Sequence, residues 1–263
     1  MNTNFIVIFS YFIVIYRIVQ LYEVLIAMSF QNQFTKTTTD ANLMETVHHG
    51  SAEYPFRYYY ENIALFDFKC IDWHWHSELE FIYIESGNVV FDIGTVHFEL
   101  NEGNGIMINS KILHRLQSSS DAIIPNFLFQ PSFIAPQDSL IYKKYINPVI
   151  SSSLEYLVFQ PDIPWQKKAL EIIKTIIAVQ ETEFNREIIV SMSVQQLWIL
   201  LLENLTFDQF ENMGAVISRT RLQLMMQYVH AHYSENITLE DIARTANISK
   251  STALHLFQNN LKL

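Results

Sequence analysis

The sequence predicts an α+β chain: an N-terminal β-barrel, a helical connector and a C-terminal all-α two-helix unit. Three observations carry this. Between residues 58 and 133, short runs rich in β-branched and aromatic residues alternate with Gly, Asn, Asp and Ser. From about residue 165 the apolar residues recur at the three-and-four spacing of helices. The last stretch, residues 237–261, contains a helix start, a turn and a second helix start.

Composition bounds the function classes. A chain of 263 residues with 49% hydrophobic residues can bury a core and hold two modest domains. A single cysteine, Cys70, excludes an intramolecular disulfide and fits a reducing, cytoplasmic setting. The net charge of −10 argues against nucleic-acid binding over the whole surface. The charge is uneven, however. From Arg219 onward five Lys/Arg face three acidic residues, so the C-terminal segment is weakly basic on an acidic body.

Residues 5–16, FIVIFSYFIVIY, form an apolar run shorter than a membrane span requires, with no basic residue before it. Three readings remain open: an anchor, a helix packed on the body, or an extension created by a mis-assigned start. The last is favoured, because the sequence from Met28 reads as an ordinary polar leader. Translation from Met28 implies no membrane association.

In the barrel region the strand runs are IALFDF, EFIYIE, NVVFDI, VHFEL, GIMIN and IPNFLF. Within them lie His74, His76 and Glu80, with His114 following later. Alternation along a strand puts His74 and His76 on one face. A bend at Ser77-Glu78 lets Glu80 join them from the next strand. These four residues, with Arg57, are the candidate effector-binding groups. Three imidazoles and a carboxylate also form a donor set for Fe, Mn, Ni or Zn. The competing reading is structural, since a strand histidine often satisfies itself with backbone partners. No metal or other cofactor is therefore assigned. Glu78 and Glu85 read as solvated strand-end charges, and Trp73 and Trp75 as core residues facing away from the histidines.

The connector, residues 137–215, holds an amphipathic helix over 165–181 and a second over 184–207 that becomes apolar all round at residues 197–202. Such a helix is buried on several sides, by the barrel or by a second copy of the chain. Residues 211–214 read as a hinge, and residues 221–233 as a third helix beneath the C-terminal unit.

That unit, residues 219–263 with its supporting helix, can be read position by position. Thr238 and Asp241 have capping-box spacing. Asn247 sits at a turn that wants a left-handed backbone. Ser249 caps a second helix. Ile248, Ala253, Leu256 and Phe257 turn inward. Lys250, Ser251, Thr252, His255, Gln258 and Asn259, with Arg244, remain outward as the polar set that can reach bases and phosphates. The unit reads as a helix-turn-helix, whose second helix enters the DNA major groove. An ordinary helical hairpin is the bland alternative.

The stretch HWHSELEFIYIESG resembles the core of the first cupin motif, with Phe68 in place of its opening Gly. His114 stands where the second motif supplies its histidine. Asn109-Ser110-Lys111 replaces that motif's Pro-x-Gly, and Ser118 its Asn. Joined to YVHAHYSENITLEDIARTANISKSTALHLFQ at the other end, the sequence resembles the AraC/XylS transcriptional regulators. The resemblance implies a cupin-type barrel over residues 45–136 that senses a small effector, often a sugar. It also implies helices that form a homodimer, a C-terminal part that binds promoter DNA, and no enzymatic chemistry. Family members carry a second helix-turn-helix, so the resemblance further implies a chain truncated after the first unit, with impaired DNA binding. Two other functions remain open: a metal-dependent cupin enzyme, and an effector-binding dimeriser acting on full-length relatives.

Overall fold

The computed structural model describes residues 36–261 except 41, 95, 183 and 206–212. Residues 1–35, with the apolar run and Met28, lie outside the described residues. Among those described, no helix is long and apolar enough to cross a membrane.

Among the described residues, nine strands form two antiparallel sheets. They are β1 (Phe56–Asn62), β2 (Cys70–His74), β3 (Leu79–Tyr83), β4 (Asn88–Ile93), β5 (Val96–Asn101), β6 (Gly105–Ile108), β7 (His114–Gln117), β8 (Ile123–Phe129) and β9 (Tyr156–Phe159). One sheet runs β1-β8-β3-β6-β9 and the other β2-β7-β4-β5. The expected barrel is thus a cupin-like pair of facing sheets and not a closed cylinder. The run IALFDF, expected as a strand, forms two 3₁₀ turns, Ile63–Leu65 and Asp67–Lys69, that carry the chain from one sheet to the other.

The five-stranded sheet has a core on each face. Period-two alternation sends Leu79, Phe81, Met107, Phe127, Phe129 and Phe159 to one side, and Ile82, Ile106, Ile108 and Ile124 to the other. Phe81 stacks within 5.3 Å of Phe127 and 5.8 Å of Phe129 between ring centroids, nearly parallel to both. On the second side the isoleucines meet Ile71, Val89, Phe91, Ile93, Leu100 and Leu116 of the facing sheet.

Helices cover the phenylalanine face. A short α1 (Asn147–Ile150) precedes β9; α2 (Pro164–Ala178) and α3 (Arg186–Asn204) follow it. Pro164 opens α2 at a position where its missing N–H costs nothing. Ala169, Leu170, Ile173 and Ile176 of α2, and Val190, Val194, Leu197, Trp198 and Leu201 of α3, are buried in this core. Gly105 makes the close approach possible, since a Cβ there would lie 2.9 Å from Leu170 Cδ2. The all-round apolar segment of α3 is only partly covered, with Ile199 57% exposed, and earlier in the same helix Ile188 is 61% and Met192 67% exposed.

A third core lies at the C-terminus. The helix α4 (Met213–His232) supports α5 (Leu239–Thr245) and α6 (Lys250–Leu261). Met213 and Gly214, read as hinge, are helical, while Glu211 and Asn212 lie outside the described residues. Leu222 and Met225 of α4 pack on Ala243, Ala246, Ala253 and Leu256, with Ile248 and Phe257 at the margin. Thr238 and Asp241 form the expected capping box, and Asn247 takes φ +52° at the turn. Ser249 Oγ accepts from Thr252 N at 3.2 Å.

The two missing motif glycines have left their backbone behind. Phe68 stands at φ +58° and is fully exposed. Lys111 stands at φ +62° in the turn before β7. A side chain in this region costs about 1–2 kcal/mol that glycine avoids. Phe68→Gly and Lys111→Gly are each expected to stabilise the chain by about 1 kcal/mol, less a few tenths for glycine's larger unfolded-state entropy. Urea midpoints at unchanged m-value check this.

Candidate functional site, a sealed histidine cluster

The site is built where the two sheets meet. In the four-stranded sheet His74 pairs directly with His114, just after a register shift between Ile71 and His74. Such a shift re-aims the side chains that follow it. His76 lies beyond the end of β2, before the bend at Ser77-Glu78. Glu80 enters from β3, on the face of the five-stranded sheet turned toward the histidines. The ring centroids of His74 and His114 are 4.1 Å apart, and those of His76 and His114 5.2 Å. Nitrogens of all three histidines lie within 4.8 Å of one another, and all three residues are buried. Glu80 Oε2 is 3.2 Å from His114 Nε2 and 3.4 Å from His76 Nε2.

The backbone fixes two of the tautomers. His74 Nδ1 is 2.7 Å from the carbonyl of Asp72, and His114 Nδ1 is 2.8 Å from that of Ile112. A carbonyl only accepts, so both Nδ1 atoms donate and both Nε2 atoms keep the lone pair when the rings are neutral. The His114 Nε2 contact with Glu80 is off the line of a hydrogen bond. That nitrogen and His76 Nδ1 are buried without a hydrogen-bond partner.

Charge is distributed accordingly. Burial, reinforced by the adjacent His114, pushes the His74 pKa down to about 3. Burial alone would raise Glu80, but His114 and His76 more than offset it and hold the carboxyl well below the usual range. The donor set fits a first-row divalent cation: imidazole nitrogens with an adjacent carboxylate, the free ring nitrogens anchored to backbone carbonyls.

A strap of residues 36–40 and 42–49 lies over the cavity beside the cluster. Trp75 N donates to Leu43 O and Glu45 N to Trp75 O, both at 2.9 Å, so the strap lies along the β2 side of the sheet. His49 is buried between Tyr59 Oη at 2.9 Å and Glu45 Oε2 at 3.0 Å. The space beneath it, lined by Glu45, His49, Tyr59, His74, Glu80 and Asn126 among others, is about 40 Å³. Pockets for organic ligands run to roughly 300–1,000 Å³. With the strap in place, there is room for an ion and a water or two, not for a sugar.

Trp75, between the two strand histidines, points the other way. Its indole N–H donates to Asn42 O at 2.8 Å, and Gln227 Nε2 of α4 donates to the same oxygen at 2.6 Å. A cleft of about 620 Å³ opens beside this junction, between the sheets and α4.

On α6, Lys250, Ser251, Thr252, His255 and Gln258 are exposed while Ala253 and Leu256 are buried. Arg244 is exposed on α5, 3.4 Å from Asp241. Lys250 pairs with Glu240 at 3.1 Å. The side chain of Asn259 lies outside the described residues.

Residues 66–136 match the family model of the AraC-like ligand binding domain. Over 229 residues, 84% of this chain and 77% of the relative, the sequence is 32% identical to the HTH-type transcriptional regulator YdeC of Bacillus subtilis strain 168. The chain belongs to the AraC family of transcriptional regulators. Similar solved structures include the AraC-like transcriptional activator CuxR, at TM-score 0.36 and 14% identity over 69% of this chain and 61% of that one. Apo ToxT from Vibrio cholerae matches at TM-score 0.35 and 9% identity, over 82% of this chain and 96% of that one. A cupin-2 domain protein from Shewanella frigidimarina matches at TM-score 0.25 and 14% identity, over 28% of this chain and 69% of that one.

Three sequence-based expectations differ from the structure. Arg57 does not join the cluster. It is exposed on β1 with its guanidinium 5.6 Å above the Tyr59 ring, so Tyr59, two residues along the same face, lines the cavity in its place. Glu78 is buried, accepting from Gln130 Nε2 at 2.5 Å. Trp73 and Trp75 are only half-buried. The reading also missed His49 and Glu45, whose i,i+4 spacing before the first strand was their only signal.

His49→Ala is expected to strand the Glu45 carboxylate and the Tyr59 hydroxyl, at a cost of roughly 1–3 kcal/mol. Amide exchange over residues 43–49 should accelerate while that of β3 and β8 is unchanged. Exchange followed by mass spectrometry makes the comparison.

Proposed function

We propose that this AraC-family regulator divides its work among three segments. Residues 45–136 sense a small effector, residues 137–215 hold two copies together, and residues 219–263 read promoter DNA through α6. The observation that carries this reading is the two-sided character of α6. Ala253 and Leu256 are buried in the core beneath it, whereas Lys250, Ser251, Thr252, His255 and Gln258, with Leu254 among them, are exposed on the outward side. A promoter-reading role implies a cytoplasmic protein. A non-catalytic role for the histidine cluster is supported by the 40 Å³ cavity beside it, which has no space for an organic substrate.

DNA binding is tested by fluorescence anisotropy on a duplex selected from a randomised pool. Thr252→Ala and Gln258→Ala are expected to relax sequence preference, each by about 1–3 kcal/mol. Lys250→Ala is expected to weaken all duplexes alike and to lower the salt slope by about 1. Equal affinities for wild type and all three variants would remove α6 as the reading helix.

The dimer reading rests on the exposed apolar row of Ile188, Met192 and Ile199 along α3. Met192→Asp with Ile199→Asp is expected to convert a dimer into a folded monomer in sedimentation equilibrium. A wild-type monomer at tens of micromolar, or a dimer unmoved by the pair, contradicts it.

A further inference from the structure

The cluster of His74, His76, His114 and Glu80 brings together more acceptors than the protein supplies donors. With their Nδ1 protons committed to Asp72 O and Ile112 O, His74 and His114 offer only lone pairs to the interior. With a neutral ring, His114 Nε2 faces Glu80 Oε2 at 3.2 Å as acceptor against acceptor, an arrangement that a positive charge between them, proton or metal ion, relieves. His76 Nδ1, 3.7 Å from Glu78 Oε2, is a further buried nitrogen with no hydrogen-bond partner. Leaving buried polar atoms unsatisfied costs about 1–3 kcal/mol each. One water has two protons and cannot satisfy three lone pairs and a carboxylate; one cation can.

The dimensions agree. A metal–imidazole bond is about 2.0–2.1 Å, so nitrogens in a tetrahedral shell lie about 3.4 Å apart. One ring nitrogen from each of the three histidines lies within 4.8 Å of the others, so a closure of at most about 1.4 Å between the widest pair completes the shell. The anchoring of Nδ1 to a backbone carbonyl is the arrangement that orients a metal-ligating histidine. The neighbouring cavity of about 40 Å³ admits no larger ligand while the strap is seated.

We propose that His74, His76, His114 and Glu80 bind one divalent transition-metal ion of the zinc, nickel, cobalt or iron type, and that this ion is the effector of the sensing module. The second half rests on the regulator reading above; the first does not. The ion draws His74 and His76 together on either side of Trp75, whose main chain holds Leu43 and Glu45 and whose indole holds Asn42 O. Seating the ion therefore tightens the strap, and with it the carbonyl that Gln227 of α4 grips.

The test uses the untagged full chain and Co²⁺ as probe. Calorimetry is expected to give one Co²⁺ per chain, with visible absorption bands that Zn²⁺ abolishes. His74→Gln and His114→Gln should each weaken binding at least roughly tenfold, and His97→Gln, an exposed histidine paired with Asp92, should leave it unchanged. X-ray absorption of the wild-type cobalt complex should count three imidazoles, which decides the matter even if a variant folds poorly. Affinity weaker than about 100 µM, or a cobalt shell without three imidazoles, overturns the site. Amide exchange over residues 42–49 should slow on adding Co²⁺; unchanged exchange in a cobalt-loaded chain overturns the effector role. Neither arm involves DNA, so the promoter reading stands or falls separately.

Discussion

A strand buried on both faces cannot slip by one residue without inverting two cores at once. β3 is such a strand. Leu79 and Phe81 are committed to the helical side, Ile82 to the side of the facing sheet. That commitment fixes where Glu80 points, a buried carboxylate in an otherwise apolar row. The helices α2 and α3 therefore contribute to the histidine cluster without touching it. By completing the phenylalanine core they lock the register that presents Glu80 to His76 and His114.

The order of the architecture was legible because its signals are local. Alternating runs mark strands, and a Pro followed by three-and-four spacing marks α2. Thr238, Asp241, Asn247 and Ser249 each do in the structure what their chemistry suggests at the ends of α5 and α6. The convergence of His74, His76, Glu80 and His114 was also legible, since period-two alternation and one bend suffice to assemble it. Closure of the barrel was not. Whether two sheets join into a cylinder depends on pairings between distant strands, and nothing in a run such as IALFDF reveals that it will turn instead of pair.

Burial of polar side chains was the least legible layer. Glu78 is charged, flanks a bend and reads as solvated, yet Gln130 from a distant segment meets it inside. Arg57 and Tyr59 share a strand face, and only packing decides that the ring enters the cavity while the guanidinium lies over it from outside. The strap was hidden for a related reason. On the strap's side its attachment to Trp75 is through main-chain atoms, which carry no mark in the sequence.

That attachment has a consequence for how such chains diverge. Asn42 takes part in the junction through its carbonyl oxygen alone, with the Trp75 indole and the Gln227 amide on its two sides. Almost any residue could supply that oxygen. Variation at position 42 should thus be tolerated at the point where the strap meets α4, while each of the two donors, far apart in sequence, is tied to that oxygen by its own side chain.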